Sequence, residues 1–225
     1  MLRVVVLAAA VVAIASRVAT ADDMPAVQYA ALSQDACEAE LTTRGISFQR
    51  EEAKGVLAPV RLTGPLRGVD FHTNLREDRR ATTIWEIADC RLVLALDDFA
   101  EILAAHDIVE VIHYSMYRAV PKRWADGRIG TRHHGGLALD AARFIKKDGS
   151  KLDVLDDFKG RRRRKVCGDK APAGKTPAAR ELREIVCGAV DRGLFNVVLT
   201  PNYNRAHRNH FHLEVTSGVK WLMLR

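Results

Sequence analysis

The chain has 225 residues, 48% of them hydrophobic and 28% charged, and carries a formal net charge of +7. That length and apolar content suffice to bury a core in one domain with a small second subdomain, and they exclude a disordered or fibrous chain. No internal repeat is visible at solenoid periods, and the arginine block described below is the one segment of low complexity.

At the N-terminus, Arg3 supplies a positive charge, Val4 to Ala15 form an apolar run, and Ala19-Thr20-Ala21 makes a small-x-small cleavage site before Asp22. An apolar run of roughly a dozen residues falls short of the ~20 that a spanning helix needs. Residues 1–21 are therefore read as an export signal, and the mature protein as secreted or periplasmic with no membrane span. Losing Arg3 and Arg17 lowers the charge by two, from +7 to +5, still basic. Export in turn makes the even set Cys37, Cys90, Cys167 and Cys187 a disulfide framework. Of the three pairings, Cys37 with Cys90 and Cys167 with Cys187 is favoured, because each joins nearest neighbours within one half of the chain. The cysteines are too widely spaced for a structural zinc knuckle.

A helix is predicted from Gln34 to about Arg44, stopped by Gly45. Gly55, Pro59, Gly64, Pro65 and Gly68 then punctuate a mixed stretch. A second helix is predicted from about Arg91 to Ala105, with Leu92, Leu96, Phe99 and Leu103 on one stripe and Asp97, Asp98 and Glu101 on the other side. Val109 to Tyr114 reads as a strand, and Leu137 to Ile145 with Lys151 to Leu155 as a hairpin around Asp148-Gly149. The block Arg161-Arg162-Arg163-Arg164-Lys165 repels itself and reads as an exposed, solvated loop, remote in sequence from the candidate site residues. As a binding patch it would attract an anionic envelope polymer at long range; without interleaved aromatics it does not suggest nucleic acid. Thr176 caps a third helix with Pro177 in its first turn and Gly193 beyond its end, and Phe195 to Leu199 and Phe211 to Val215 are further strands. Helices with antiparallel strands predict an α+β fold, with 22–90 as an N-terminal subdomain packing on a core formed by 91–225.

Five of the eight histidines fall in two clusters, His133-His134 and His207 to His212, and Asp140 lies seven residues after His133. On a strand, His210, His212 and Glu214 share one face and Phe211, Leu213 and Val215 the other. Asp140 shares its face with the small Ala138 and Ala142, and the glycines around His133 let its imidazole return toward Asp140. Two imidazoles and a carboxylate suit Zn²⁺ and leave a fourth position for water, the mark of a catalytic rather than a structural site. His134 competes with His133 as the first ligand. His72 and His106 are read as structural, and His113 is left unassigned.

His133, Asp140 and the His-x-His of His210 and His212 resemble the metallopeptidase group that includes lysostaphin-type enzymes, D-Ala-D-Ala peptidases and the hedgehog fold. His207-x-x-His210-x-His212 is similar in spacing to the penicillin-insensitive murein endopeptidases. The segments Gly135 to Asp140 and Leu199 to Leu213 resemble the extensin-like family of bacterial exported proteins, a likeness that covers about Cys37 to Val215. The resemblance implies a small antiparallel sheet flanked by helices, zinc held by His133, Asp140 and His212, His210 as general base, and His207 as stabiliser of the oxyanion. Hydrolysis of amide bonds in peptidoglycan stem peptides is the activity it implies. The alternative is a zinc-containing wall-binding protein with impaired turnover. One departure stands out: the family commonly carries Tyr-x-Cys-Arg after the strand preceding the zinc histidine, whereas this chain reads Tyr117-Arg118-Ala119-Val120. Tyr117 and Arg118 are its substrate-binding candidates.

Overall fold

The protein is described here by a computed structural model that covers residues 21–225. The export signal expected over residues 1–21 lies, apart from Ala21, outside the described residues. The elements in chain order are α1 (Pro25–Ala30), α2 (Gln34–Thr43), β1 (Phe48–Arg50), β2 (Pro59–Leu62), β3 (Asp70–Thr73), α3 (Glu77–Arg80), β4 (Ile87–Asp89) and α4 (Cys90–Ala105). They continue with β5 (Ile108–His113), β6 (Ala138–Lys146), β7 (Lys151–Asp153), α5 (Val154–Asp157), α6 (Pro177–Asp191), β8 (Val197–Leu199), β9 (Phe211–Glu214) and β10 (Met223–Leu224). The architecture is α+β, as the mixture of patterns predicts.

Helix limits follow from local chemistry. The Ser33 hydroxyl accepts from the Ala36 amide to start α2, Asp89 accepts from the Arg91 amide to start α4, and Thr176 accepts from the Ala179 amide to start α6. Each cap satisfies a backbone donor that the helix itself leaves without a partner. In α6 the buried residues Ala179, Leu182, Ile185, Val186 and Ala189 form one stripe. α4 differs from a simple amphipathic helix. Eleven of its residues are buried, Asp97 among them, and the Asp97 carboxylate is paired with Arg44 at 3.1 Å and Arg67 at 3.1 Å. It is the central helix, packed against α1, α2, α6 and β5.

β1, β2 and β4 form a small antiparallel sheet. The larger sheet runs β10-β8-β9-β6-β5-β3, with β7 also on β6; β3–β5 and β8–β10 are parallel and the other pairs antiparallel. β7 is shorter than predicted because Asp153 turns the chain into α5, accepting hydrogen bonds from the amides of Leu155 and Asp156. The nine-residue β6 carries β5 on one edge and shares its other edge between β9, along Ala138 to Ala141, and β7, along Arg143 to Ile145. Leu139, Ala141 and Phe144 of β6 and Phe211 and Leu213 of β9 enter one hydrophobic cluster with Leu92, Leu96 and Phe99 of α4 and Leu182 and Ile185 of α6. That cluster also holds Leu41, Val60 and Phe71 from the N-terminal part. Two disulfides lock the packing, Cys37–Cys90 between α2 and α4 and Cys167–Cys187 onto α6. Among the described residues no cysteine is free, and loop closure gives the two bridges about 4 and 3 kcal/mol respectively.

Candidate metal centre

The register of two strands creates the site. Asp140 on β6 lies opposite His212 on β9, and Ala138 lies opposite Glu214. Since Leu139 and Leu213 face the core, alternation puts Asp140, His212 and Glu214 on the other face of the sheet. His133 reaches them from a 3-10 turn at Arg132–Gly135 that Gly136 ends with a left-handed φ of 64°. A β-carbon on Gly136 would lie 2.7 Å from the Asp89 amide nitrogen, and one on Gly130 2.4 Å from the His134 carbonyl oxygen. Only glycine permits the turn that presents His133.

Three imidazole nitrogens converge on one oxygen. Asp140 Oδ1 lies 3.1 Å from His133 Nε2, 3.0 Å from His212 Nδ1 and 3.3 Å from His210 Nε2. Its second oxygen, Oδ2, accepts from the Arg118 guanidinium, whose Nε donates to Ser115 Oγ at 2.9 Å. Ligand atoms of His133, Asp140 and His212 all lie within 4.8 Å of one another, and all three residues are buried. The cleft over them has a volume of about 660 Å³ and is lined by Arg118, Thr131, Arg132, His133, His134, Asp140, Ala206, His207, His210 and His212.

The far side of each ring decides what the near side can do. His133 Nδ1 donates to the Met116 carbonyl at 3.1 Å, and His212 Nε2 donates to Glu214 Oε2 at 3.0 Å. A neutral imidazole has one N–H, so with that proton spent on the outer partner both rings aim a lone pair at the Asp140 carboxylate. Two lone pairs and an anion crowd one another unless a proton or a cation lies between them. The donor set therefore fits a divalent metal, and an outer carboxylate or carbonyl that fixes each ring is what metal-ligating histidines usually have.

Without a cation, a proton on an inner ring nitrogen takes its place. Burial works against ionisation of Asp140, yet hydrogen bonds donated in that protonation state by His133 and His212 hold its carboxyl well below the usual carboxylate range. Burial also opposes charge on His212, but hydrogen bonds to Asp140 and Glu214 carry its pKa upward. His210 is pushed down to about 4, chiefly by burial and against the pull of Asp140, and burial lowers His207 as well. His113, fully buried with neither ring nitrogen partnered, is pushed down to about 3 by the same cause.

The structure thus brings together His133, Asp140, His212, His210, His207 and Arg118. His134 lines the cleft but does not enter the ligand group: its Nδ1 meets the Arg118 carbonyl at 2.9 Å and its ring lies against Trp124, which leaves His133 as the histidine on Asp140. Tyr117 does not join them either. It is buried with Val56 and Ile87, and its hydroxyl donates to the Lys54 carbonyl at 2.9 Å. Several supporting residues were not assigned from sequence. Asn204 Oδ1 accepts from His207 Nδ1 at 2.8 Å, Asn209 Oδ1 accepts from His210 Nδ1 at 3.0 Å, and Asn209 donates to the Tyr114 hydroxyl at 2.8 Å.

The family model for the extensin-like protein C-terminus matches residues 35–224. The chain belongs to the extensin-like family. No curated protein and no solved structure matches it. The match spans every residue of the cleft, so the centre is part of the extensin-like unit and not an appendage to it. In this extensin-like chain, Arg118 supplies a guanidinium to the cleft although the Tyr-x-Cys-Arg pattern is absent.

Proposed function

We propose that this extensin-like protein is an exported zinc metallopeptidase that hydrolyses amide bonds in peptidoglycan stem peptides. The observation that carries the reading is the pair of imidazoles, held from outside by Met116 and Glu214, whose inner nitrogens lie within 3.1 Å of Asp140 Oδ1. Two disulfides suit an oxidising compartment, and among the described residues no helix is long and apolar enough to cross a membrane.

His133, Asp140 and His212 would hold the ion. When bound, zinc supplies Lewis acidity, which polarises a peptide carbonyl and acidifies water. The protein's own groups then divide the proton work. His210, with Nδ1 committed to Asn209, holds Nε2 in the cleft 3.3 Å from Asp140 Oδ1. It accepts the proton of a water that adds to the carbonyl carbon, and it returns that proton to the amine nitrogen as the C–N bond breaks. His207, with Nδ1 donating to Asn204, offers a lone pair while neutral and becomes an oxyanion donor only when protonated. Arg118 brings a guanidinium into the same cleft, which makes it the better stabiliser of the tetrahedral oxyanion.

The test is to load purified protein with zinc, incubate it with isolated sacculi and identify released peptides by mass. New amino and carboxyl termini that vanish on chelation and return with zinc are expected. Stoichiometric zinc without any new termini would instead establish the wall-binding alternative.

A further inference from the structure

The arginine block is an exposed loop, as predicted, but its backbone is held in place. Asn202, buried to 3% exposure, clamps its backbone three times: its Oδ1 accepts from the Arg161 amide at 2.6 Å, its carbonyl from the Arg163 amide at 2.8 Å, and its Nδ2 donates to the Arg164 carbonyl at 2.9 Å. The next residue but one after Arg164 is the buried Val166, followed by Cys167, bridged to α6. Arg163 is held at a φ of 63°, a conformation that L side chains rarely adopt. The chain therefore spends hydrogen bonds, a disulfide and local backbone strain on fixing a run of like charges. Among the described residues, no acidic group pairs with Arg161, Arg162, Arg163, Arg164 or Lys165. Charges ordered at such cost and left without partners suit a ligand that brings its own negative charge.

The groove beside the block, about 720 Å³ in volume, is lined by Arg162, Arg163, Arg164 and Lys165 together with Asn202 and Tyr203. It abuts the metal cleft. Asn204 lines the groove and also fixes His207, while the ring of Tyr203, 40% exposed, lies 5.3 Å from the ring of His207. Remote in sequence from the proposed ligands, the block lines a groove that Asn204 and Tyr203 connect to His207 of the cleft.

We propose that this groove is an extended substrate subsite, which takes the free carboxylates of an acidic peptide while the bond to be cut lies over His210. The inference rests on the metallopeptidase reading. It differs from a merely basic surface in demanding short-range, carboxylate-dependent recognition next to the reacting bond.

The test compares an acidic stem peptide with the same peptide amidated at its side carboxylates, using parent, R162Q/R164Q and R162K/R164K proteins. The clamp on Asn202 uses only backbone atoms of the block, so these changes keep the loop in place. Removing two charge-assisted contacts should raise KM for the acidic peptide about tenfold with kcat within a factor of two, and the lysine variant should recover most of the loss. For the amidated peptide the three proteins should agree within a factor of two. Fluorescence anisotropy of the labelled acidic peptide on Asp140→Asn protein, with and without R162Q/R164Q, repeats the comparison without turnover. Failure of all proteins to cleave, with the tenfold binding difference intact, would reject the peptidase reading and keep the groove. Equal KM and equal binding for parent and R162Q/R164Q would overturn the groove. Tighter binding to phosphatidylglycerol vesicles than to the peptide would also overturn it and reassign the block to a membrane surface.

Discussion

At the scale of single residues, ligands and their supports should separate by experiment. His212→Ala removes a proposed ligand and should abolish stoichiometric zinc, whereas His210→Ala should keep the metal and lose about 10²–10⁴-fold in turnover, as removal of a general base would. Metal analysis beside single-turnover assays reads both, and metal loss in His210→Ala would make His210 a ligand. Glu214→Gln leaves every proposed ligand in place but weakens the acceptor behind His212. Its zinc affinity should fall about 10–100-fold, measured by competition with a chelator. The grouping of His133, Asp140 and His212 with His210 and His207 was legible in the sequence because rare residue types recur there at short spacings. Glu214 was placed on the right face, yet nothing in composition says that it holds a ring. Asn204 and Asn209 were hidden for a similar reason, since the role of each lies in a side-chain direction that spacing does not reveal. Tyr117 misleads in the opposite way, because a residue adjacent to Arg118 in sequence points under the loop toward Lys54.

At the scale of elements, the long patterns were readable and the short ones were not. α2, α4 and α6 declare themselves by caps and apolar stripes, and β5, β6 and β9 by β-branched or alternating runs. β1, β2, β4 and β10, of two to four residues each, carry too few positions for a period to emerge, and their existence depends on partners distant in sequence. The acidic side of α4 shows what a helical wheel omits. Asp98 there accepts from the Tyr29 hydroxyl, and Arg44 donates to the same hydroxyl at 2.8 Å and to Asp98 at 3.0 Å, so α1, α2 and α4 meet in one polar network. Burial, then the neighbouring Asp98, pushes the Tyr29 phenol up from 10.0 to about 12. The folded state thus holds that proton more tightly than the unfolded chain does. Its stabilisation is present in full below pH 10 and is lost as pH rises toward about 12. Urea midpoints measured across that window should fall more steeply for the parent than for Tyr29→Phe; parallel curves would show that the network is not coupled to folding.

At the scale of the whole molecule, the two proposed functional surfaces share the segment from Asn202 to His207. The predicted disulfides and the α+β class came directly from the chain. The closeness of the arginine block to the histidines did not, because it depends on a clamp by Asn202 that no periodicity announces. Pairing also has a temporal side. Each bridge joins cysteines that follow one another along the chain, with separations of 53 and 20 residues and no overlap between the loops. A chain delivered N-terminus first into an oxidising compartment meets each correct partner before any wrong one emerges, so order of arrival selects the native connectivity without reshuffling. Added disulfide isomerase should accordingly leave the yield of vectorially oxidised protein unaltered, while the fully reduced, denatured chain, presented with all four thiols at once, should need it.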